Sequence, residues 1–350
     1  MKTEVEVLVI GAGQAGLAVG YYLQQHGISY HIIGKEKRIG DVWRNRYDSL
    51  TLFTPRAYSS LPGLKLAGDP NGYATKDEIA DYLQAYADYH TLSVQLDTEV
   101  VSLRQTGGQY AVHTNQGDIL AHQVIVATGP FQKPFIPEFA QGLSDKVYQI
   151  HTAEYINPSQ LQDGSVLVVG GGNSGAQIAV ELCEDREVYL SVGHRMKFLP
   201  LQLGNRSIFW WFDKLGIYRA SIETKRGQWV RRQSDPIFGK ELKKLITNSK
   251  VKIKAKASSV EHQTFTFADG SHVEVQNVIW ATGFHPDYSW VDIPGVLDRN
   301  GRPLHERGVS PMEGLYFLGL PWQYRRSSAL IGGVGMDAEY LIHRIRGIAN

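Results

Sequence analysis

Two uninterrupted apolar runs, each leading directly into a set of glycines, are the most informative pattern of hydrophobic and polar positions along the chain. The first run ends at Ile10 before Gly11, and the second ends at Val169 before Gly170. Continuous apolar runs of this kind are typical of strands that are buried on both faces of a parallel sheet. The pattern therefore predicts one such strand at the start of the chain and one near its middle.

A helix and a further strand are predicted after each of these runs. The helical segments are Leu17–Gln25 and Ala176–Cys183, and the strands that follow are Tyr30–Ile33 and Val188–Val192. Strand, helix and strand in this order form the βαβ unit of a doubly wound sheet. The chain thus contains two of these units.

The chain also repeats itself over a long distance. VEVLVIGAGQAG, which ends at Gly16, recurs as SVLVVGGGNSG, which ends at Gly175, and VIVATGPF recurs as VIWATGFH at nearly the same offset. Two related modules explain this repeat. The last part of the chain, from Leu315 to Arg346, has the pattern of a strand, a glycine-rich turn and a helix, which we assign to the first module.

These elements predict an α/β fold with two dinucleotide-binding, Rossmann-like domains, the second of them inserted into the first. We expect residues 1–157 together with 286–350 to form the first domain, and residues 158–285 to form the inserted one.

Both glycine sets have the spacing GxGxxG, and each follows a buried strand and opens a helix, which is the context that a dinucleotide site requires. The first glycine permits a tight turn, the second lets a pyrophosphate approach the backbone, and the third lets helix and strand pack closely. The N–H groups at the start of the helix then favour the phosphates. The glycines are Gly11, Gly13 and Gly16 in the first loop, and Gly170, Gly172 and Gly175 in the second. Two loops predict two dinucleotides, FAD in the first domain and a nicotinamide nucleotide in the second.

Neither second strand ends in the acidic residue that usually binds the adenosine ribose of such a nucleotide. Gly34 stands there in the first module, where Glu36 from the loop, or the backbone with Lys35, would have to replace the acid. The second module has His194 and Arg195. A cation without a nearby carboxylate accepts a 2′-phosphate, so we expect NADPH to be preferred and NADH to be usable.

Composition restricts the class of protein. The 350 residues are 43% hydrophobic, and 36 Lys and Arg nearly balance 35 Asp and Glu, which argues against a nucleic-acid partner. The single cysteine, Cys183, excludes an internal disulfide framework or a CxxC redox pair and fits a cytoplasmic setting. No apolar run is long enough for a transmembrane helix, so we do not expect a membrane partner.

The charge is unevenly distributed. Residues 195–256 hold 16 Lys and Arg against 4 Asp and Glu, and they include the aromatic segment Ser207–Tyr218. We interpret the basic segment as facing a phosphate-bearing cofactor. The aromatic segment is compatible with a mobile lid, an interfacial helix at a membrane, a contact between two copies in a homodimer, or a helix packed on the second module.

Several ordered motifs resemble those of the class B flavoprotein monooxygenases, and most of all those of short bacterial members related to flavin-containing monooxygenases, some of which are labelled as flavoproteins associated with metal or potassium transport. The resemblance covers nearly the whole chain. The motifs are GAGQAG from Gly11, IGDVW from Ile39, SLTLFTP from Ser49, ATGPF from Ala127, HTAEYINP from His151, GGGNSG from Gly170 and ATGF from Ala281.

The chain departs from the family at two places. Val147 stands where the fingerprint between the glycine loops has a glycine, so that only its second half, from His151 to Tyr155, is present. Phe53 stands where the flavin-containing monooxygenases carry an asparagine that lies over the flavin. This second departure places in question how long an oxygenated flavin survives in this protein.

The resemblance implies an FAD-dependent NAD(P)H:oxygen monooxygenase. It would form a C4a-(hydro)peroxyflavin that oxygenates small sulfides, amines or ketones, with molecular oxygen and the small molecule as its partners. Phe53, Trp43 and Trp322 are the residues expected to cover the flavin pocket. An NAD(P)H-dependent flavin reductase or oxidase that passes electrons to another acceptor, and a nucleotide-sensing regulator of ion transport, are the alternatives.

The resemblance also implies two sets of cofactor-binding residues. For FAD these are Gly11, Gly13, Gln14, Ala15, Gly16, Lys35, Glu36, Val42, Trp43, Arg44, Leu52, Val101, Ala127, Thr128 and Gly129. For the nicotinamide nucleotide they are Gly170, Gly172, Asn173, Ser174, Gly175, His194, Arg195, Thr282 and Gly283. No metal ligands are expected, because no ligand spacing stands out.

Overall fold

A computed structural model describes residues 3–347. Two sheets form its framework: the core strands of the first pair in parallel, as the apolar runs predict, and its β6–β7–β8 side is antiparallel, whereas the second is parallel. The strands of the first half are β1 Thr3–Ile10, β2 Tyr30–Ile33, β3 Thr51–Pro55, β4 Tyr73–Thr75, β5 Val94–Gln95, β6 Val100–Thr106, β7 Gln109–Thr114, β8 Gly117–Val126, β9 Lys133–Pro134 and β10 Tyr148–His151. The remaining strands are β11 Val166–Val169, β12 Val188–Ser191, β13 Phe198–Leu199, β14 Gln202–Leu203, β15 Arg206–Ser207, β16 Ile237–Phe238, β17 Val251–Lys254, β18 Ala257–Glu261, β19 Thr264–Phe267, β20 His272–Glu274, β21 Asn277–Trp280, β22 Phe284–His285 and β23 Leu315–Phe317.

Eight α-helices connect and cover these strands in the part of the chain between residues 3 and 347. They are α1 Gln14–Gln25, α2 Asp41–Arg44, α3 Lys76–Tyr89, α4 Asn173–Leu182, α5 Ile208–Lys214, α6 Lys225–Arg231, α7 Glu241–Thr247 and α8 Ile331–Ile345. Short 3-10 turns lie at Arg56–Tyr58, Glu138–Gly142, Pro158–Gln160 and Arg326–Ala329. Helices α1 and α4 begin three residues before the predicted starts, because the glycine loops close directly into the helices.

The first sheet has the order β5-β2-β1-β8-β7-β6, and β23 pairs in parallel with the second half of β8. This pairing confirms that the last part of the chain returns to the first module. Apolar residues cover both faces of β1: Val7 and Val9 pack against α1, α3 and α8, and Leu8 and Ile10 pack in a second cluster with residues of β6, β7 and the segment 288–297. A strand buried on both faces has to be apolar throughout.

The second sheet, with the order β10-β21-β11-β12-β17, is parallel throughout. Strand β10 pairs with β21 in this sheet, although the boundary predicted at residue 157 assigned it to the first domain. Strands β9 and β22 pair antiparallel where the chain leaves the first sheet and returns to it. The strand pairing therefore favours a passage of the chain from the first domain to the second near residue 134. The limits of the two domains stay a prediction.

Candidate nucleotide sites

The first glycine loop has the geometry that its spacing predicts. Parallel pairing sets Ile10 beside Val126, so the residues that follow, Gly11 and Ala127, approach each other. Gly11 has φ +116°, and a Cβ atom there would lie 2.6 Å from the carbonyl oxygen of Ala127. A Cβ atom at Gly16 would overlap the carbonyl oxygen of Gly11, whereas one at Gly13 would meet no atom within 4 Å. Space thus remains in front of Gly13, where a pyrophosphate needs it.

The second loop repeats this arrangement. Val169 lies beside Trp280 in the parallel register, and Gly170, with φ +120°, packs against the carbonyl group of Ala281. A Cβ atom at Gly175 would overlap the carbonyl oxygen of Gly170, and the space at Gly172 is empty to 4 Å. Both loops therefore fit a dinucleotide pyrophosphate at the start of their helices.

The missing acid of the first module has a steric explanation. A Cβ atom at Gly34 would lie 2.7 Å from the Cβ atom of Ala12 in the glycine loop, so a side chain does not fit there. The Glu36 carboxylate reaches back instead, with Oε2 3.1 Å from that same position. Lys35 is exposed. The geometry supports Glu36 as the group that replaces the acid.

A lysine that the sequence motifs did not indicate lies at the corresponding point of the second module. Strand β17 runs parallel to β12, and Lys256, two residues beyond its end, lies beside Gly193, 3.5 Å from a Cβ atom placed there. Ser191 fixes this turn, because its hydroxyl donates to the Ala255 carbonyl group (2.9 Å) and accepts from the Ala257 N–H (2.9 Å). The exposed His194 and Arg195 follow on the same edge of the sheet. Only the strand order reveals Lys256, since it is far from the glycine loop along the chain and comes 63 residues after Gly193.

The side chain of Arg44, one of the predicted FAD-binding residues, forms its polar contacts within the protein. Its guanidinium donates to the Ile39 carbonyl group (2.7 Å) and pairs with Asp81 (2.9 Å). The neighbouring Val42 is exposed, and Trp43 packs against the core under the first sheet. The Arg44 N–H also donates to the Gly40 carbonyl group (3.1 Å) and its carbonyl group accepts from Lys76 Nζ (3.1 Å), so a contact of Arg44 with FAD stays a prediction.

Two other predicted FAD-binding positions lie at opposite ends of the site. Leu52 is buried in β3, and Val101 in β6 is 63% exposed. The turn before β6 is close to the ribose position, because the Thr98 N–H donates to the Gly34 carbonyl group at 2.9 Å. This placement is compatible with an adenine contact at Val101.

The two ATG turns lie at the crossing between the sheets. Gln132 ties the first turn together by donating to Thr128 (2.9 Å) and to the Gly129 carbonyl group (2.8 Å). In the second, the Thr282 hydroxyl donates to the Phe135 carbonyl group, and His151 Nε2 lies 3.0 Å from the Gly283 carbonyl oxygen. His151 is buried, and its bond to Gly283 joins the ends of β10 and β21, neighbouring strands of the second sheet.

Phe53 belongs to an aromatic cluster that combines both domains. Its ring stacks on Phe238 at 4.7 Å and on Phe209 at 6.2 Å, and Tyr58 and Tyr218 lie next to them. Helix α5, which carries Phe209, thus packs against the first module through Phe53 and Tyr58, and not only on the second module, which was one of the four interpretations of the aromatic segment.

Trp322 lies apart from this cluster. It has a left-handed backbone (φ +57°) in the turn between Leu320 and Gln323. The same segment approaches the start of α1, where a Cβ atom at Gly319 would be 2.9 Å from that of Ala15. Gln14 also touches the C-terminal part of the chain by donating to the Ala329 carbonyl group at 3.0 Å. The structure does not bring Trp322 into contact with Phe53.

A metal site, a membrane-spanning helix and a reactive cysteine are three further features to consider in the described part of the chain. No three His, Cys, Asp or Glu residues between positions 3 and 347 are arranged to hold a metal ion. Within the same range, no helix is both long and apolar enough to cross a membrane. Cys183, the single cysteine, is buried, and burial raises the pKa of its thiol.

Comparison with known proteins agrees with this geometry. The family model of the pyridine nucleotide-disulphide oxidoreductases matches residues 8–197. A CzcO-like oxidoreductase of Geobacillus kaustophilus is 66% identical over 99% of both chains, and the oxidoreductase CzcO of Bacillus subtilis is 47% identical over 98% of this chain and 99% of its own. The solved flavin-containing monooxygenase from Stenotrophomonas maltophilia superposes with a TM-score of 0.84 over 99% of each chain at 26% identity. The chain therefore belongs to the pyridine nucleotide-disulphide oxidoreductase family and is an oxidoreductase of its flavin monooxygenase type.

Proposed function

We propose that this protein is an FAD-dependent NAD(P)H:oxygen monooxygenase that oxygenates small sulfides, amines or ketones in the cytoplasm. One observation carries the proposal: two matching glycine cradles, each with empty space at its middle glycine, stand at the carboxyl edges of two sheets that the same chain holds together. The likeness to the Stenotrophomonas enzyme supports an oxygenating activity.

FAD would be held by the first cradle, with its ribose at Glu36, and the nicotinamide nucleotide by the second, with a 2′-phosphate near Arg195 and Lys256. When both are bound, they supply hydride transfer and oxygen activation, which is the chemistry of these cofactors. The chain's contribution is to bind them, to fix the orientation of one towards the other, and to keep water out.

Water exclusion falls to the aromatic cluster around Phe53. Phe53, Phe209 and Phe238 present only apolar rings, and none of them can donate a hydrogen bond to an oxygenated cofactor. Such a surface excludes water by shape alone. We therefore expect part of the consumed reductant to appear as hydrogen peroxide.

The single buried cysteine argues against a dithiol mechanism. A disulfide reductase needs a thiolate within reach of its substrate, and burial of Cys183 favours the neutral thiol. The family description therefore applies to the two-domain architecture and not to disulfide chemistry in this chain.

Oxygen-isotope labelling tests the proposal. The purified, FAD-loaded protein is supplied with NADPH, ¹⁸O₂ and a panel of aryl methyl sulfides, tertiary amines and cyclic ketones, and products are analysed by mass spectrometry. We expect ¹⁸O in a product and less than one peroxide per NADPH. Stoichiometric peroxide without any labelled product would refute the monooxygenase.

The same preparation separates the alternatives. Fast anaerobic turnover with a quinone or ferricyanide, together with slow oxidation in air, would identify a reductase. Binding of NADPH without oxidation of it would identify a nucleotide sensor.

A further inference from the structure

Helix α4 contacts both halves of the aromatic cluster through one of its faces. Asn173 and Gln177 are four residues apart, so their side chains project from the same side of the helix. Asn173 faces the segment that carries Phe238, and Gln177 faces the strand that carries Phe53. The helix whose start forms the second glycine cradle therefore also supports the stacked rings.

Both polar atoms of the Asn173 side chain bond to the protein. Its Oδ1 accepts from the Phe238 N–H at 3.0 Å, and its Nδ2 donates to the Pro236 carbonyl group at 3.2 Å. These two bonds fix the backbone of β16 at the point where the Phe238 ring leaves it. Each polar atom of the amide therefore has a partner in the segment that carries Phe238, so the side chain supports the fold of that segment.

Gln177 bonds in the same way to β3, the strand that carries Phe53. Its Nε2 donates to the Thr51 carbonyl group at 2.9 Å, and its Oε1 accepts from the Tyr47 hydroxyl at 3.0 Å. Both partners belong to the first domain, and Thr51 is two residues before Phe53. Burial raises the pKa of Tyr47 to about 12, so this hydroxyl remains a donor at every physiological pH.

We propose that Asn173 is a positioning residue that couples occupation of the second glycine cradle to the closure of Phe238 on Phe53. A dinucleotide at Gly172 orders the first turn of α4, the ordered turn holds the Asn173 amide, and the amide holds the backbone beneath Phe238. Release of the nucleotide loosens the stack. This coupling rests on the proposed function only in assuming that a dinucleotide binds at Gly172.

Hydrogen exchange of the FAD-loaded protein, with and without NADP⁺, gives a readout that does not depend on turnover. In the wild-type protein we expect NADP⁺ to slow exchange in peptides that contain the Phe238 amide. In Asn173→Ala this amide should exchange about tenfold faster without nucleotide, the effect of losing one buried hydrogen bond, and saturating NADP⁺ should not restore protection. Asn205→Ala, an exposed asparagine in the β14–β15 turn, is the matched control and should behave like the wild type.

A second variant separates coupling from nucleotide binding. Asn173→Asp keeps an oxygen that accepts from the Phe238 N–H, loses the N–H that donates to the Pro236 carbonyl group, and places a negative charge beside the pyrophosphate. We expect it to retain slow exchange at Phe238 while its dissociation constant for NADP⁺ rises about tenfold or more, as for a like charge near a bound anion. The fraction of NADPH oxidised to peroxide should rise in Asn173→Ala and in Phe238→Ala, and it should rise no further in the double variant.

The outcomes are distinct. Normal protection of Phe238 by NADP⁺ in Asn173→Ala, or peroxide fractions that add in the double variant, would overturn the coupling and leave the monooxygenase intact. Absence of NADP⁺ binding to the wild-type protein would instead overturn the proposed function.

Discussion

At the scale of single residues, the glycines of the first cradle fall into two physical classes. Gly11 and Gly16 are required by the fold, because a Cβ atom at either would collide with backbone. Gly13 has an ordinary φ of −84°, and a Cβ atom there would meet no protein atom within 4 Å. The fold does not require a glycine at this position, so we attribute the glycine to the space that a ligand needs. The GxGxxG spacing does not distinguish these roles, and the structure does.

This distinction predicts opposite behaviour for two alanine substitutions. Gly13→Ala should fold but bind FAD at least about tenfold more weakly, since the added methyl group overpacks the pyrophosphate space. Gly16→Ala should fail to fold. Circular dichroism and flavin content after purification measure both effects. Gly172→Ala is the reciprocal control: it should keep FAD and lose affinity for NADPH, and loss of FAD there would contradict the assignment of the cradles.

The cations at the edge of the second sheet predict the nucleotide preference. Lys256→Ala and Arg195→Ala should each raise the dissociation constant for NADPH about fivefold to tenfold, as expected for one lost charge-assisted hydrogen bond, and leave that for NADH unchanged. Titration calorimetry with 2′,5′-ADP and 5′-AMP measures this difference. Lys250→Ala removes the same charge at the opposite end of β17 and should change neither constant. Equal losses for both ligands would exclude Lys256 as a 2′-phosphate contact.

At the scale of elements, the sequence predicted the two βαβ units well, because burial on both faces leaves a continuous apolar signal. Tyr30–Ile33 has the bounds that were expected, and α8 at Ile331–Ile345 is the helix expected at the end of the segment from Leu315 to Arg346. Strand β10 was missed as part of the second sheet, since nothing local in Tyr148–His151 shows which sheet it joins. Contacts such as Lys256 beside Gly193 depend on strand order, which the local pattern does not contain.

His151, at the end of β10, gives the protein a pH dependence. It accepts from the Ala153 N–H (3.0 Å) at Nδ1 and so donates to the Gly283 carbonyl group from Nε2, an arrangement that requires the neutral ring. Burial lowers the pKa of His151 below its ordinary 6.5. The unfolded chain then binds the extra proton first, so this contribution to stability is complete above pH 6.5 and is lost as the pH falls towards the lower, folded-state pKa.

Melting temperatures between pH 5 and 8 check this dependence. We expect stability to decrease below pH 6.5 by up to about 1.4 kcal/mol per pH unit for one proton. The decrease should be smaller in His151→Gln, whose amide can still donate to Gly283. Burial also lowers the pKa of His90 and His305, so some slope will remain. An unchanged slope in His151→Gln would contradict the role of this ring, and the exposed His272→Gln is the control.

At the scale of the whole molecule, the two domains meet where β9 and β22 cross, and a single cation lies between the phenylalanines that follow the two ATG turns. The Arg46 guanidinium carbon is 5.4 Å from the ring centre of Phe131 and 5.1 Å from that of Phe284. The rings themselves are 5.4 Å apart. Arg46 comes from the first domain, between α2 and β3, so it links the flavin side of the molecule to both crossing segments.

This contact predicts an effect on domain orientation with little effect on binding. Arg46→Ala should lower the melting temperature by about 2–4 °C, because cation–π pairs of this kind contribute roughly 1–2 kcal/mol. The rate at which NADPH reduces the flavin should fall in stopped-flow measurements while the dissociation constants of both nucleotides stay constant, since the cradles are untouched. Arg46→Lys should recover only part of the rate, because an ammonium group cannot stack as a planar guanidinium does. Arg38→Ala, an exposed arginine before α2, should leave rate and melting temperature unchanged. If Arg46→Ala weakens FAD binding as much as it slows reduction, Arg46 acts on the cofactor site and not on the orientation of the domains.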